Sequence, residues 1–217
     1  MISFAASKEM KTEKIDKRQA IIDAAEKLFC ETGYEGTSTR QISNESGANM
    51  AMINYYFGSK EGVFVEIMNN RIAGFGSQLK IINEDKISAI EKLNRVIDGY
   101  ATRILSNPSF HKMMHRELSL SQRPEMYNKI KDAMSLNMQL LEKILTDGQE
   151  DGSFKQADNR MVIATIMGTL TNIVISPHKV MPEFDLDLNN PKDKKMIKDK
   201  AVAHLQDLLT VYLTTKK

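Results

Sequence analysis

Cysteine is nearly absent. Cys30 stands alone in 217 residues, which excludes an internal disulfide framework and any cysteine-based zinc cluster. Its place at the end of a helical segment predicts a buried small hydrophobe. No run approaches the roughly 20 apolar residues that cross a bilayer. Met1 to Lys17 holds Ile2 and Phe4 but no long apolar segment before a cleavage site, so no secretory signal is expected. The cytoplasm is the expected compartment. Sustained period-two alternation is missing, which argues against strands, and there are no internal repeats or low-complexity tracts. An excess of one charge is missing too: the net charge is +2, and residues 1–60 carry eight basic and eight acidic side chains. A basic footprint usually marks a nucleic-acid binder. Any such role here must rest on placement, as in the cluster Lys8, Lys11, Lys14, Lys17 and Arg18 ahead of or at the start of the first helix.

What is present reads as helix almost throughout. Hydrophobic residues make up 41% and charged residues 27%, enough for one or two domains with a real core. The expected class is all-α with about nine helices: an N-terminal three-helix helix-turn-helix domain, then a larger all-helical domain. The first helix spans about Lys14 to Thr32, with Ile21, Ala24, Ala25, Leu28 and Phe29 on one stripe and Gly33 at its C-cap. Ser38 and Gln41 form a capping-box pattern that opens a second helix, which Gly47 stops. Asn49 caps a third helix to about Phe57, and Ser59 caps a long fourth to about Ile82, with Glu61 near its positive end. Gly74 and Gly76, each about 1 kcal/mol worse than Ala in a helix, mark a kink or a close contact. Further helices are expected over Lys86–Leu105, from Asn107-Pro108, from Arg123-Pro124 to about Gln149, from the Asp158 cap to Pro177, and from Asn190-Pro191 nearly to the end. Residues 177–190 read as a loop.

Residues Ser38–Phe57 carry the functional signal. Two short helices joined by Gly47-Ala48-Asn49 have the spacing of a helix-turn-helix. A third helix of about eight residues is too short to stand alone, so packing must hold it. Ile53 and Phe57, at i and i+4, are expected inward, with Tyr34 and Ile42 as further core. That leaves Met50, Ala51, Met52, Asn54, Tyr55 and Tyr56 on the surface, groups suited to base edges, thymine methyls and phosphates. Thr39 and Arg40 stand at a helix N-terminus whose free N–H groups favour phosphate.

These residues resemble the tetracycline-repressor (TetR) family of bacterial regulators. The likeness lies in Ala24-Ala25-x-x-Leu28-Phe29, Gly33-Tyr34-x-x-Thr37-Ser38-Thr39, Arg40-Gln41-Ile42-Ser43, Ser46-Gly47-Ala48 and Ile53-x-Tyr55-Tyr56-Phe57-Gly58-Ser59-Lys60-Glu61. It covers about Lys17 to Ile67. It implies a DNA-binding domain over 15–75, with the helix-turn-helix at 38–57, and a regulatory, ligand-binding and dimerisation domain over 76–217. It further implies that Thr39 and Arg40 touch DNA from the second helix. Met50, Ala51, Met52, Asn54, Tyr55 and Tyr56 lie on or beside the recognition helix, and Lys60 binds phosphate. Met50, Met52 and Asn54 depart from the usual residues, so the operator sequence is not read from the likeness. The implied function is a ligand-responsive repressor, a homodimer on a pseudo-palindromic operator of double-stranded DNA, with an unidentified small-molecule effector.

In the second domain, the small residues Ala164, Thr165 and Gly168 allow close helix approach, and Leu205, Leu209 and Leu213 form a stripe on the last helix. Two such hairpins about a twofold axis make a four-helix bundle, the expected dimer interface. Tyr100, Phe110, Met114, His115, Tyr127, Met138, Met167 and Asn172 are candidates to line an effector pocket. His111 and His115 stand four apart near Glu117, which is the basis of an alternative reading as a metal-dependent helical enzyme. The spacing lacks the Glu of H-E-x-x-H and a third ligand, so no metal, cofactor or catalytic residue is expected. A second alternative, supported by the neutral charge of residues 1–60, is an interaction module without DNA binding.

Overall fold

The computed structural model describes residues 2–119, 124–182 and 186–214, with side chains from Lys17 onward. Among these residues there are ten helices and no strand: α1 (Ile2–Gly36), α2 (Thr39–Ser46), α3 (Met50–Phe57), α4 (Lys60–Glu84), α5 (Ala89–Ser106), α6 (Pro108–Ser119), α7 (Pro124–Glu150), α8 (Asn159–Ile175), α9 (Pro177–Val180) and α10 (Pro191–Thr214). The all-α expectation holds. The tenth helix is the single turn α9, which occupies part of the expected loop 177–190.

Local chemistry sets most boundaries. α1 starts at Ile2, well before Lys14, because Ala, Lys, Glu and Met continue upstream with no Gly or Pro to stop them. The side chains of Lys8, Lys11 and Lys14 lie outside the described residues, as does Arg123. Gly33 breaks α1 with φ 81°. α5 begins at Ala89, capped by Ser88, whose Oγ accepts the Glu91 N–H at 3.3 Å. Asp158 caps α8 as expected, its carboxylate accepting from the N–H groups of Arg160 and Met161. α4 is continuous through Gly74 and Gly76, which mark close contacts rather than a kink. A Cβ on Gly76 would stand 2.4 Å from Asn137 Oδ1, and one on Gly74 3.0 Å from an Arg103 nitrogen.

The chain forms two compact units. The first holds residues 1–71 and 113–130; the second holds 72–112 and 131–217. The division falls inside α4, α6 and α7, and residues 113–130 group with the N-terminal unit.

The first unit packs Ile21, Ala25 and Phe29 of α1, Ile42 of α2, Ile53 of α3, and Val63, Phe64, Ile67 and Met68 of α4 into a core. Phe29, Tyr34 and Phe64 form an aromatic trio with centroids 5.2 to 5.6 Å apart. In the second unit α5, α8 and α10 carry the core, including Ile97, Ala101, Ile163, Ile166, Leu205, Leu209 and Leu213. This relocates the α10 stripe. Leu205, Leu209 and Leu213 are buried against their own subunit and are not available to a second one.

Candidate nucleic-acid interface and effector cavity

The helix-turn-helix is held by short polar contacts. The Gln41 N–H donates to Ser38 Oγ at 3.2 Å, and the Ser38 N–H donates to Gln41 Oε1 at 2.7 Å, completing the capping box. Gly47 ends α2 in the left-handed region at φ 63°, where an L side chain would be strained. Across this turn Ser43 Oγ donates to the Ala48 carbonyl at 2.6 Å. Asn49 then caps α3, its Oδ1 accepting the Met52 N–H at 2.9 Å.

Burial of Ile53 fixes how α3 is rotated. At about 100° per residue, Met50, Ala51, Asn54 and Tyr55 then share one face, and all four are exposed, Tyr55 at 76%. Arg40 is exposed at the first turn of α2, with Thr39 half-buried beside it. Met52 and Tyr56 are half-buried on the flanks of α3, and Tyr56 packs edge-on against Tyr55 at 5.1 Å.

One expectation is corrected here. Phe57 is half-exposed, not core, and the Arg18 guanidinium lies 5.2 Å from its ring centroid while also pairing with Glu66 at 2.5 Å. Lys60, expected at a phosphate, is half-buried and also makes contacts within its own chain. Its ammonium donates to the carbonyls of Tyr34 and Thr37, each at 2.8 Å, and lies 4.2 Å from the centre of the Tyr34 ring.

The effector candidates scatter. Tyr100 and Met167 line a small cavity in the second unit with Phe75, Val96, Leu141, Ile163 and Ile166; its free volume is about 10 Å³, the room of roughly one water. Tyr100 joins this apolar wall, while its hydroxyl stands 3.3 Å from Thr171 Oγ1. Burial raises the Tyr100 pKa above its ordinary 10.0, against the smaller effects of the Thr171 hydrogen bond and Arg103, so it remains a neutral phenol. The remaining candidates do not line the cavity. Phe110 is buried elsewhere, edge-on to His111. Met114, His115 and Tyr127 belong to the first unit, with His115 and Tyr127 exposed, and Met138 and Asn172 are exposed in the second. Met and aromatic side chains serve cores and surfaces as readily as pockets, so composition alone does not gather them at one cavity. The other lining residues Phe75, Val96, Leu141, Ile163 and Ile166 carry no polar marker; only their helical spacing, as at Val96–Tyr100 and Ile163–Met167, hints at a shared wall.

Glu117 is 4% exposed and pairs with Arg116 at 3.1 Å, while His115 is exposed. Among the described residues no group of three His, Cys, Asp or Glu side chains is placed to hold a metal ion, and no helix is long and apolar enough to cross a membrane. Ala164, Thr165 and Gly168 form an open face of α8. On α10 the exposed large apolar residues are Leu208, Val211 and Tyr212.

Two family descriptions match this chain: bacterial regulatory proteins of the tetR family over residues 21–67, and the tetracyclin repressor-like C-terminal domain over residues 86–175. The fatty acid metabolism regulator protein of Bacillus subtilis is 26% identical over 172 residues, covering 77% of this chain and 88% of that one. The HTH-type transcriptional repressor NicS of Pseudomonas putida is 32% identical over 111 residues, covering 47% of this chain and 52% of that one. A solved structure of the regulator FadR from Bacillus subtilis in complex with stearoyl-CoA has a TM-score of 0.70 at 26% identity, covering 87% of this chain and 97% of that one. The matched motifs and the shared fold make this chain a DNA-binding transcriptional regulator that belongs to the tetracycline-repressor family.

Proposed function

We propose that this regulator is a ligand-responsive repressor that works in the cytoplasm as a homodimer, reading a pseudo-palindromic operator through α3. The observation that carries this reading is the burial of Ile53, which turns Met50, Ala51, Asn54 and Tyr55 outward together. The Asn54 amide suits the paired donor and acceptor of adenine, Met50 and Ala51 suit thymine methyls, and the Tyr55 hydroxyl suits phosphate. Thr39 and Arg40 meet the backbone or a guanine from the start of α2. Half-sites one helical turn apart, about 34–36 Å, suit a twofold dimer. The faces that suit dimerisation are Ala164, Thr165 and Gly168 on α8 and Leu208, Val211 and Tyr212 on α10.

The effector takes the cavity around Tyr100 and Met167. The wall is apolar, which suits an effector with a long apolar chain. The stearoyl-CoA bound by the Bacillus subtilis FadR supports the same class. Ligand pockets usually measure about 300–1,000 Å³, so binding must open this cavity by repacking Met167 and its neighbours. Such switches couple sites by about 1–3 kcal/mol.

The test is selection of operator fragments from a pool of random-sequence duplexes, followed by gel shifts at two salt concentrations with and without stearoyl-CoA. Salt-sensitive, sequence-specific binding that acyl-CoA weakens is expected. Failure to enrich any duplex would remove the operator reading; binding that acyl-CoA leaves unchanged would remove the effector class alone.

A further inference from the structure

The cavity around Tyr100 and Met167 has a cation beside it. Arg103 lies in the last turn of α5, close to one helical turn beyond Tyr100 and so on a neighbouring part of the same face. It is half-buried, and its guanidinium carbon stands 6.0 Å from the centroid of the Phe75 ring. The rings of Phe75 and Tyr100 both belong to the cavity wall and pack together at 5.4 Å. Gly74 leaves room for this placement: a Cβ there would stand 3.0 Å from one guanidinium nitrogen. Burial raises the Tyr100 pKa and the Arg103 charge works against it, so that charge is felt at the phenol. All of these residues belong to the second unit.

An apolar cavity with a cation at its wall suits the two halves of an amphipathic molecule. The lining takes an apolar chain and offers nothing to a charged head. A guanidinium presents five N–H donors in a planar fork, which meets the oxygens of a carboxylate or phosphate two at a time. Partial burial against Phe75 strengthens such a contact, because the dielectric there is lower than in water. We propose that Arg103 binds the anionic head of the effector, and that the effector is an apolar chain carrying a carboxylate or phosphate rather than a neutral lipid. A free acid and a CoA thioester supply that chemistry from different groups, and the fork accepts either. A chain that opens the cavity between Phe75, Tyr100 and Met167 brings its head out beside this guanidinium. The inference rests on the reading of that cavity as the effector site.

Laurate, lauroyl-CoA and dodecanol share an apolar chain of one length and differ in the head. Their dissociation constants are measured by isothermal titration, below micelle-forming concentrations, for wild type and Arg103→Met. Wild type should bind laurate or lauroyl-CoA at least tenfold more tightly than dodecanol. A preference for laurate assigns a carboxylate to the fork, and a preference for lauroyl-CoA assigns the phosphates. Arg103→Met should bring the preferred anion down to the affinity of dodecanol. A preference that survives in Arg103→Met would overturn the proposal. So would an equal loss of affinity for all three ligands, the mark of a residue that only supports the wall. Should Arg103→Met not fold, the wild-type protein supplies a second measurement: modification of arginines by phenylglyoxal, read by mass spectrometry against the exposed Arg40. The preferred anion should slow labelling of Arg103 at least tenfold, and dodecanol should not. Protection by none of the ligands, or by all three alike, would refute the contact. Equal binding of all three to wild type removes this inference and leaves the apolar-chain reading of the cavity standing; binding of none removes both.

Discussion

The Glu117 carboxylate, near the end of α6, accepts the backbone N–H of Tyr34 at 3.4 Å from 83 residues along the chain. It is 4% exposed and bonded by Arg116 Nε at 3.1 Å, so the pair packs a charged contact against the Gly33–Tyr34 junction. Removing a buried acceptor strands its donor, at about 1–3 kcal/mol. Glu117→Ala should lower the melting temperature by several degrees, at about 2–4 °C per kcal/mol for a chain of this size. Glu117→Gln keeps an acceptor oxygen and should lose less than half as much. Equal losses for the two variants would mean that the Tyr34 contact contributes nothing.

Gly62 lies in the first turn of α4, where a Cβ would stand 1.8 Å from the Phe57 carbonyl oxygen. A backbone atom cannot step aside as a flexible side chain can. Gly62→Ala should therefore shift the α3–α4 turn, costing at least about 1–3 kcal/mol and weakening DNA binding with it. A variant that melts and binds like wild type would show that the turn is looser than this.

Arg40 is exposed and makes no contribution to the core. Arg40→Ala should leave stability within about 0.5 kcal/mol. A lost base contact would weaken operator binding by about 1–3 kcal/mol, whereas a lost phosphate contact would reduce the salt slope by about one per site. Gel shifts across salt separate these outcomes, and no change in either would take Arg40 off the interface.

Burial, and secondarily the charge of Glu26, pushes the Cys30 thiol up to about 11 from its ordinary 9.0. Folding therefore favours the neutral thiol, a preference fully present below pH 9 and lost as the pH rises through about 11. Only the thiolate attacks disulfide reagents, so at pH 8 the folded protein should react about a hundredfold more slowly than the chain in urea. The rate should climb steadily toward pH 11. Cys30 is half-buried rather than buried as expected, and equal rates in buffer and urea at pH 8 would contradict even this partial desolvation of its thiol.

Val211 is 67% exposed on α10, beside Leu208 and Tyr212. If this face meets a second subunit, Val211→Asp places an unpaired charge in the interface. Analytical ultracentrifugation should then show the dimer weakened at least tenfold. A variant that remains as dimeric as wild type would move the interface elsewhere.

How much was legible depended on the range of each interaction. The Ser38–Gln41 box, the Gly47 stop and the Asn49 and Asp158 caps lie within four residues of their partners, so neighbouring residues alone determine them. Burial of Ile42 was legible for the same reason, because it is the one apolar residue of α2. The unread α5 cap, Ser88-x-x-Glu91, was equally local. Phe57, Lys60 and the α10 stripe were different. Arg18 on α1 covers Phe57, and carbonyls more than 20 residues away hold Lys60; no local pattern encodes either distance. α10 carries two apolar faces, Leu205-Leu209-Leu213 and Leu208-Val211-Tyr212, and periodicity alone cannot say which one is inward. The sequence by itself determined the capped helix ends and which short motif they form, because hydrogen bonding within a turn is local. Only the tertiary structure decided which face of each helix is covered and where each charge goes, because burial is a property of what lies opposite.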